Sequence, residues 1–508
     1  MTPRARELCL WLRDYAETRI DSVMMDERRT IPPHVVLDLG NRGLLGVTAT
    51  AAYGGLELGA PEILTVFEQL GAIDQTLAIF LGIHNALGIR PIQRFGGDAL
   101  KSSLLSQLAS GRMIGALAMT ERAAGSNARA IETVAIRDGD GFRVRGSKIW
   151  VGNGSWAGAI TVFARRPPEE GGGMCGFTVP AGTPGLRMGA EALTTGMRAI
   201  VQNELALDVW LSRDNLLGIE GEGFAVAEDS FGLARIGIAA IALGGIRRAI
   251  QLADRYTRRR QISTGPLLAN ARTHDVLAGL VAAATAAGHL LRVVGEWCDP
   301  TGSPPPHLAA ICKIVVPELL GRAVDRVIQL CGGRGYIDTS GLPQLARDAR
   351  LLRIFEGPTE TLEMHLGSAV LGNALAIDTL LEPFTAPQAR VRLEVAIPQL
   401  ATALEGTAGE ARIVTGQRVK LAIGHVVAWG VLAAAAETAA QGDDLDALAS
   451  RWALANLDAR VARATLEPGC DREMLARAID RMRDAIGDVE QTLPGADHAL
   501  DPLLRRDG

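Results

Sequence analysis

Cysteine is scarce. The 508 residues hold six, Cys9, Cys175, Cys298, Cys312, Cys331 and Cys470, far apart and without a C-x-x-C pair. Neither a zinc site nor a small disulfide scaffold fits that pattern, and a reduced, cytoplasmic setting is the expectation. An excess of one charge is also missing. Lys and Arg number 52 against 57 Asp and Glu, a balance of −5, which supplies no field for gripping a phosphate backbone or an anionic bilayer. The N-terminus, MTPRARELCLWLRDYAETRIDS, lacks the continuous apolar core of a signal peptide; its alternation of charged and apolar residues predicts an amphipathic helix. The longest apolar stretches, residues 276–294 and 425–436, are rich in Ala and Gly and broken by His, Arg or other polar residues. They are expected to be buried bundle helices rather than the ~20-residue spans of a bilayer.

What is present is the mix of an ordinary folded protein, with 48% hydrophobic and 21% charged residues, which excludes wholesale disorder and collagen-like repeats. The length predicts about three or four domains. Residues 1–114 alternate helical patterns with the breakers IPP (31–33), YGG (53–55) and GGD (96–98) and predict a helical domain. Residues 115–222 change to short β-rich runs, such as FRVR (142–145) and ITVF (160–163), between Gly-, Pro- and Asn-containing turns; a small antiparallel sheet or barrel is expected. Helical periodicity returns over 223–375, with long segments at 225–260, 267–298 and 306–331 that suit a four-helix bundle. Residues 376–508, opened by LEPFTAP (381–387), read as an added helical domain. The fold class is mainly α with a central β-barrel.

Four segments carry residues suited to chemistry. In LAMTERAAGS (117–126), Thr120 and Ser126 flank a turn of small residues, which either offers backbone N–H groups to an acceptor-rich ligand or forms an ordinary loop. GSKIWVGNG (146–154) sets Trp150 beside a glycine-framed turn, where it stacks on a planar cofactor or joins the core. QLCGGRGY (329–336) allows close approach of backbone to a ligand, or merely ends a helix. In IFEGPTE (354–360), Glu356 stands between a bulky apolar residue and a helix start. There it is either a general base with a raised pKa or a helix-capping carboxylate.

Together and in this order, the four segments resemble the acyl-CoA dehydrogenase family over about residues 13–371. The family's T-E-x-x-x-G-S loop matches residues 120–126, W-[IV]-[TS]-N-G matches 150–154, Q-x-x-G-G-x-G-[YF] matches 329–336 and [YF]-E-G-T matches 355–358. YGG at 53–55, GMR at 196–198, Arg235 and YTRRR at 256–260 fit as well. The resemblance implies an N-terminal helical domain, a β-barrel and a four-helix bundle, with FAD between barrel and bundle. By carry-over, Leu117, Met119, Thr120, Gly125, Ser126, Trp150, Val151 and Gly152 would hold the flavin ring and ribityl chain, with Pro358 and Glu360 completing the cofactor set. Arg260, Gln329, Gly332 and Gly333 would reach the FAD of a neighbouring subunit, which implies a homo-oligomer. Ser126, Arg235 and Gly357 would line an acyl thioester substrate.

The implied reaction is α,β-dehydrogenation. Glu356 would take the α-proton as the β-hydride passes to flavin N5, leaving a trans-2-enoyl thioester, with the developing enolate stabilised by hydrogen bonds to the thioester carbonyl. Some relatives carry the base just before the arginine matched by Arg235; here that position is Ala234. The sequence departs from the family pattern at Gly152 (for Thr or Ser), Pro358 (for Thr) and Ser263–Thr264 (for Phe-Gly). The C-terminal region resembles the helical extension of long-chain members, with a dimer as the expectation. A DNA-associated branch also carries an extension, but from Leu381 onward acidic residues outnumber basic ones, against DNA binding. The carrier is coenzyme A or an acyl carrier protein, and the electron acceptor an electron-transfer flavoprotein or another acceptor; no nucleic acid and no membrane span are expected. Two rival readings are a non-redox thioester- or partner-binding protein on the same scaffold and a DNA-associated flavoprotein. The Ala- and Gly-rich helices either leave room for a long acyl chain or pack closely.

Overall fold

The alternating N-terminus folds as helix Pro3–Arg19. The Thr2 hydroxyl accepts from the Ala5 N–H at its start, and Ala5, Leu8, Cys9, Leu12 and Tyr15 form its buried stripe. The computed structural model describes residues 2–466, 472–487, 489 and 501–504; Cys470 and parts of the expected 376–508 domain lie outside the described residues. Residues 1–460 form one compact unit. In it, helices Ala60–Ile73, Gln75–Gly82, Arg90–Phe95 and Asp98–Ala109 follow the first, with a π-helical turn at Ile83–Ile89. That turn is wholly buried. His84 within it accepts the Gly115 N–H at Nδ1 (2.9 Å) and contacts the Leu108 carbonyl through Nε2 (3.0 Å), tying the helices to the first strand. Burial pushes the His84 pKa down to about 4, so the ring is neutral and Nε2 carries the proton.

The central barrel takes the form of an open, mixed eight-stranded sheet. Its path runs Leu186–Glu191, Gln202–Ser212, Gly141–Gly152, Val134–Asp138, Ala157–Arg165, Met174–Pro180, Leu216–Leu217, and Ile114–Ala118 pairs in parallel with Ala157–Arg165. Period-two burial along Gln202–Ser212 turns Leu205, Leu207, Val209 and Leu211 inward against Phe142, Val144 and Phe177. Helices Gly223–Arg259, Ala271–Glu296, Pro306–Cys331 and Thr359–Leu371 then make the bundle, and Pro387–Ala401 and Gly409–Thr438 begin the extension.

By length and hydropathy alone, Gly223–Arg259, Ala271–Glu296 and Arg412–Thr438 would suffice to cross a bilayer. This corrects the expectation that the stretches 276–294 and 425–436 fall short: Ala and Gly add apolar length without bulk. The same small residues let helices touch. A Cβ on Gly424 would lie 1.9 Å from the Glu363 carbonyl oxygen, and one on Gly367 would lie 1.8 Å from that of Lys420. Gly424→Ala should therefore destabilise this unit by about 1–3 kcal/mol or more, read as a lower denaturant midpoint. An unchanged midpoint would refute the contact. Residues 461–508 form a second unit, which includes the amphipathic helix Arg472–Ile486 with Leu475, Ile479, Met482 and Ile486 exposed.

Candidate active site

Between helices Leu342–Leu351 and Thr359–Leu371 the chain makes a tight reversal, in which Glu356 (φ +56°) and Gly357 (φ +97°) both adopt left-handed backbone. Glycine takes this conformation freely. Glutamate does not, and is held there by its surroundings. Arg235, about a third of the way along Gly223–Arg259, donates from Nε to the Glu356 carbonyl (3.1 Å), and Lys313 of Pro306–Cys331 donates from Nζ to the Gly357 carbonyl (2.7 Å). Two cations from two bundle helices thus clamp consecutive carbonyls. Pro358 occupies the N-cap position of Thr359–Leu371 with φ −53°, where a missing N–H removes no helical bond. The capping alternative for Glu356 is not realised.

Although Glu356 as a residue is only half-buried, its carboxylate oxygen Oε2 is sealed and has no hydrogen-bond partner. Burial pushes its pKa up to about 7, against the pull of Arg235 and Lys313. Its backbone N–H also finds no acceptor among the described residues. Lys313, with 0% of its surface exposed, is itself drawn down to about 7 by burial. Glu356 lines a small cavity of ≈ 20 Å³ whose other side chains are all apolar. Arg235 lines a wider cavity of ≈ 470 Å³ with Glu228, Trp297, Asp299 and Ser303.

The two sheet-borne segments come together. The Ile149 N–H donates to the Thr120 carbonyl (2.9 Å), while buried Lys148 donates to the Met119 carbonyl (3.0 Å) and pairs with Glu121 (2.7 Å). Trp150, in left-handed backbone at φ +54°, is 62% exposed, and Val151 beside it is buried. At Gly152 a Cβ would lie 2.7 Å from Cδ1 of Ile83, a residue that also lines the Glu356 cavity. Gly152 therefore adjoins one residue of the cavity that Glu356 lines, and Met119 and Thr120 are joined to the same strand through Lys148 and Ile149. Gly125 and Ser126 are exposed on the connecting loop.

Other expected residues stand apart. Arg260 caps the C-terminal end of Gly223–Arg259 and is exposed; Gln329, Gly332 and Gly333 are exposed where Pro306–Cys331 ends, with nothing within 4 Å of a Cβ on either glycine. No hydrogen bond among the described residues joins them to the Glu356 reversal. Glu360 is exposed in the first turn of Thr359–Leu371. The GMR turn has a supporting place: the Met197 N–H donates to buried Asp348 (2.5 Å), and a Cβ on Gly196 would meet the Arg347 backbone at 2.3 Å. Sequence reasoning missed Lys313, whose one signal is a lone lysine within the apolar run ICKIVV (311–316), and Ile83, which carries none.

Comparison with known proteins matches this arrangement. The family descriptions of the acyl-CoA dehydrogenase N-terminal, middle and C-terminal domains match residues 2–112, 116–209 and 221–371. A cyclohex-1-ene-1-carbonyl-CoA dehydrogenase of Geobacter metallireducens is 32% identical over 365 residues, 71% of this chain and 96% of the relative. The structure of butyryl-CoA dehydrogenase from Megasphaera elsdenii superposes with TM-score 0.70 at 29% identity, covering 73% of this chain and 99% of that one. An acyl-CoA dehydrogenase of Bacillus anthracis complexed with FAD shares the fold over 96% of this chain and 92% of its own (TM-score 0.78, 20% identity), which takes in the C-terminal extension. With all three domains matched in order and the relatives covered almost end to end, the chain belongs to the acyl-CoA dehydrogenase family, oxidoreductases acting on CH–CH groups.

Proposed function

We propose that this protein is an FAD-dependent dehydrogenase that introduces an α,β double bond into an acyl thioester, with Glu356 as the base. The observation that carries the reading is the sealed, unpartnered Glu356 carboxylate at the end of an apolar cavity. A planar cofactor fits the residues present. Trp150 offers an exposed indole, Gly152 leaves its backbone bare, and Ile83 fills the space a side chain at 152 would take. Leu117, Met119, Thr120, Gly125, Ser126, Trp150, Val151 and Gly152 would hold the ring and ribityl chain, beside Pro358 and Glu360. Bound FAD supplies the acceptor for the β-hydride.

The remaining work falls to the chain itself. With a pKa of about 7, the carboxylate of Glu356 is basic enough to take an α-proton once the thioester carbonyl is polarised, and it is ionised in a useful fraction at neutral pH. The free backbone N–H of Glu356 is a donor for that carbonyl oxygen, where charge develops. Arg235 and Lys313 hold the reversal, so the carboxylate keeps its aim, and the apolar walls exclude water from the reacting carbons. Arg235, Ser126 and Gly357 line the path of the thioester. Arg260, Gln329, Gly332 and Gly333 complete the cofactor site of a second copy, making the protein a homodimer that passes electrons to an electron-transfer flavoprotein or another acceptor in the cytoplasm.

An absorbance spectrum of the purified protein, followed by anaerobic addition of matched coenzyme A and acyl-carrier-protein thioesters, tests the reading. Bleaching of the oxidised flavin band is expected, and the faster donor names the carrier. Persistent absence of flavin after reconstitution with FAD would overturn it in favour of a non-redox thioester-binding protein.

A further inference from the structure

The reversal that carries Glu356 is fixed at its neck as well as at its tip. Arg353 stands three residues before Glu356 and Thr359 three residues after it, and the Thr359 N–H donates to the Arg353 carbonyl (3.3 Å). One carboxylate joins their side chains. Glu318, on helix Pro306–Cys331, accepts the Thr359 hydroxyl at Oε1 (3.3 Å) and pairs through Oε2 with Arg353 (3.4 Å). Room for that guanidinium comes from Gly321, where a Cβ would lie 3.2 Å from Arg353 Cζ. The same helix carries Lys313, which grips the Gly357 carbonyl, so it holds the reversal at neck and tip together. The need for both is conformational. Glu356 sits in left-handed backbone, which a residue other than glycine keeps only while its surroundings over-determine it. Clamps on the carbonyls of 356 and 357 alone would leave the flanks free to turn and release that strain; a tie across the flanks closes this route.

Resting on the reading of Glu356 as the base, we infer that Glu318 is a positioning residue for it: by joining Arg353 to Thr359 it keeps the reversal closed and the Glu356 carboxylate sealed beside the apolar cavity. The role needs an acceptor at this place rather than a charge, since an amide oxygen can also accept from the Thr359 hydroxyl and from Arg353. A reversal that opened would hydrate the Glu356 carboxylate, and the pKa that burial pushes up to about 7 would fall. The charged groups acting on Glu356 are Arg235 and Lys313; Glu318 acts in turn on Arg353, Lys313 and Arg460 of helix Asp444–Leu466. Loss of the Glu318 charge alone would move the Glu356 pKa the other way, because Glu318 helps keep Lys313 protonated and Lys313 pulls that pKa down.

Anaerobic flavin reduction in the FAD-loaded full chain is measured with the fastest of the butanoyl, octanoyl and hexadecanoyl thioesters, alongside calorimetric binding of the matching non-oxidisable thioether. Glu318→Met should slow reduction about 30-fold or more while thioether affinity stays within about twofold. The acid limb of its kcat/KM profile should move down from about 7 by roughly one unit. Thr359→Val, which deletes one hydroxyl and keeps a fold that Glu318→Met need not keep, should slow reduction about fivefold, with no further loss when the two are combined. Glu318→Gln should stay within about threefold of wild type. An acid limb that rises in Glu318→Met, equal losses in Glu318→Gln and Glu318→Met, or a wild-type rate in Thr359→Val would overturn the inference. So would a wild-type rate in Glu318→Met with Glu356→Gln inactive, which leaves the base reading standing. No reduction in wild type, or a wild-type rate in Glu356→Gln, would overturn the base reading and the inference with it.

Discussion

Glu356→Gln is expected to lower the rate of flavin reduction by the best thioester about 10³-fold or more, with thioester binding retained. The amide fills the same volume on the same left-handed backbone but cannot take a proton. In the wild type, kcat/KM should rise with pH through about 7, the value to which burial pushes the carboxylate. The same substitution carries a stability signature. The folded-state pKa of Glu356 stands above its unfolded value of 4.5, so between 4.5 and about 7 the folded protein binds more protons, and wild-type stability falls as pH rises through that window. At about 1.4 kcal/mol per pKa unit the full loss is about 3 kcal/mol. Glu356→Gln removes it. The variant should be more stable than wild type at about pH 8 and equal to it at about pH 4, with denaturant titration as the measurement. A variant that still reduces flavin at wild-type rate would place the base elsewhere, and a flat stability difference would show that the carboxylate is solvated.

Lys313→Met is expected to move the acid limb of the kcat/KM profile upward by roughly one unit, and so to lower activity near neutral pH about fivefold. Lys313 pulls the Glu356 pKa down; without it the carboxylate holds its proton to higher pH. The charged groups that act on Lys313 are Glu356, Arg235, Glu318 and Glu360, and only Glu356 sits at the apolar cavity. Stability should change little. Loss of the 2.7 Å bond to the Gly357 carbonyl, which costs about 1–3 kcal/mol, is offset by relief of the buried ammonium's own desolvation. A merely structural lysine would give the opposite pattern, with lower stability and an unshifted limb. That result would remove Lys313 from the account of the base.

Much of this site was legible because its chemistry restricts residue type within short segments. A carboxylate in an apolar setting before a helix start and a Trp next to a glycine turn are local patterns, and both lie where the pattern places them, whereas the glycines after the apolar helix Pro306–Cys331 stand apart from the Glu356 reversal. The long helices were equally readable, since a 3.6-residue apolar period over 26 or 37 residues leaves little alternative. The π-helical turn at Ile83–Ile89 was not readable: a single wide turn inside a buried apolar run leaves no periodic trace. Gly152 read as a missing hydroxyl, but the space is filled by Ile83, some seventy positions earlier in the chain.

Sequence alone determined the family and the order of helical, sheet and bundle segments, and it singled out Glu356 as a carboxylate in apolar surroundings, because these depend on local composition, periodicity and spacing. Tertiary structure decided that Arg235 and Lys313 clamp the carbonyls of Glu356 and Gly357, that Gly152 and Ile83 share one space, and that Gly71 and Gly244 bring helices Ala60–Ile73 and Gly223–Arg259 into backbone contact. Those are matters of which side chains and backbones meet across helices distant in sequence. A lysine in an apolar run or a glycine in a helix reads the same until its neighbours are in place.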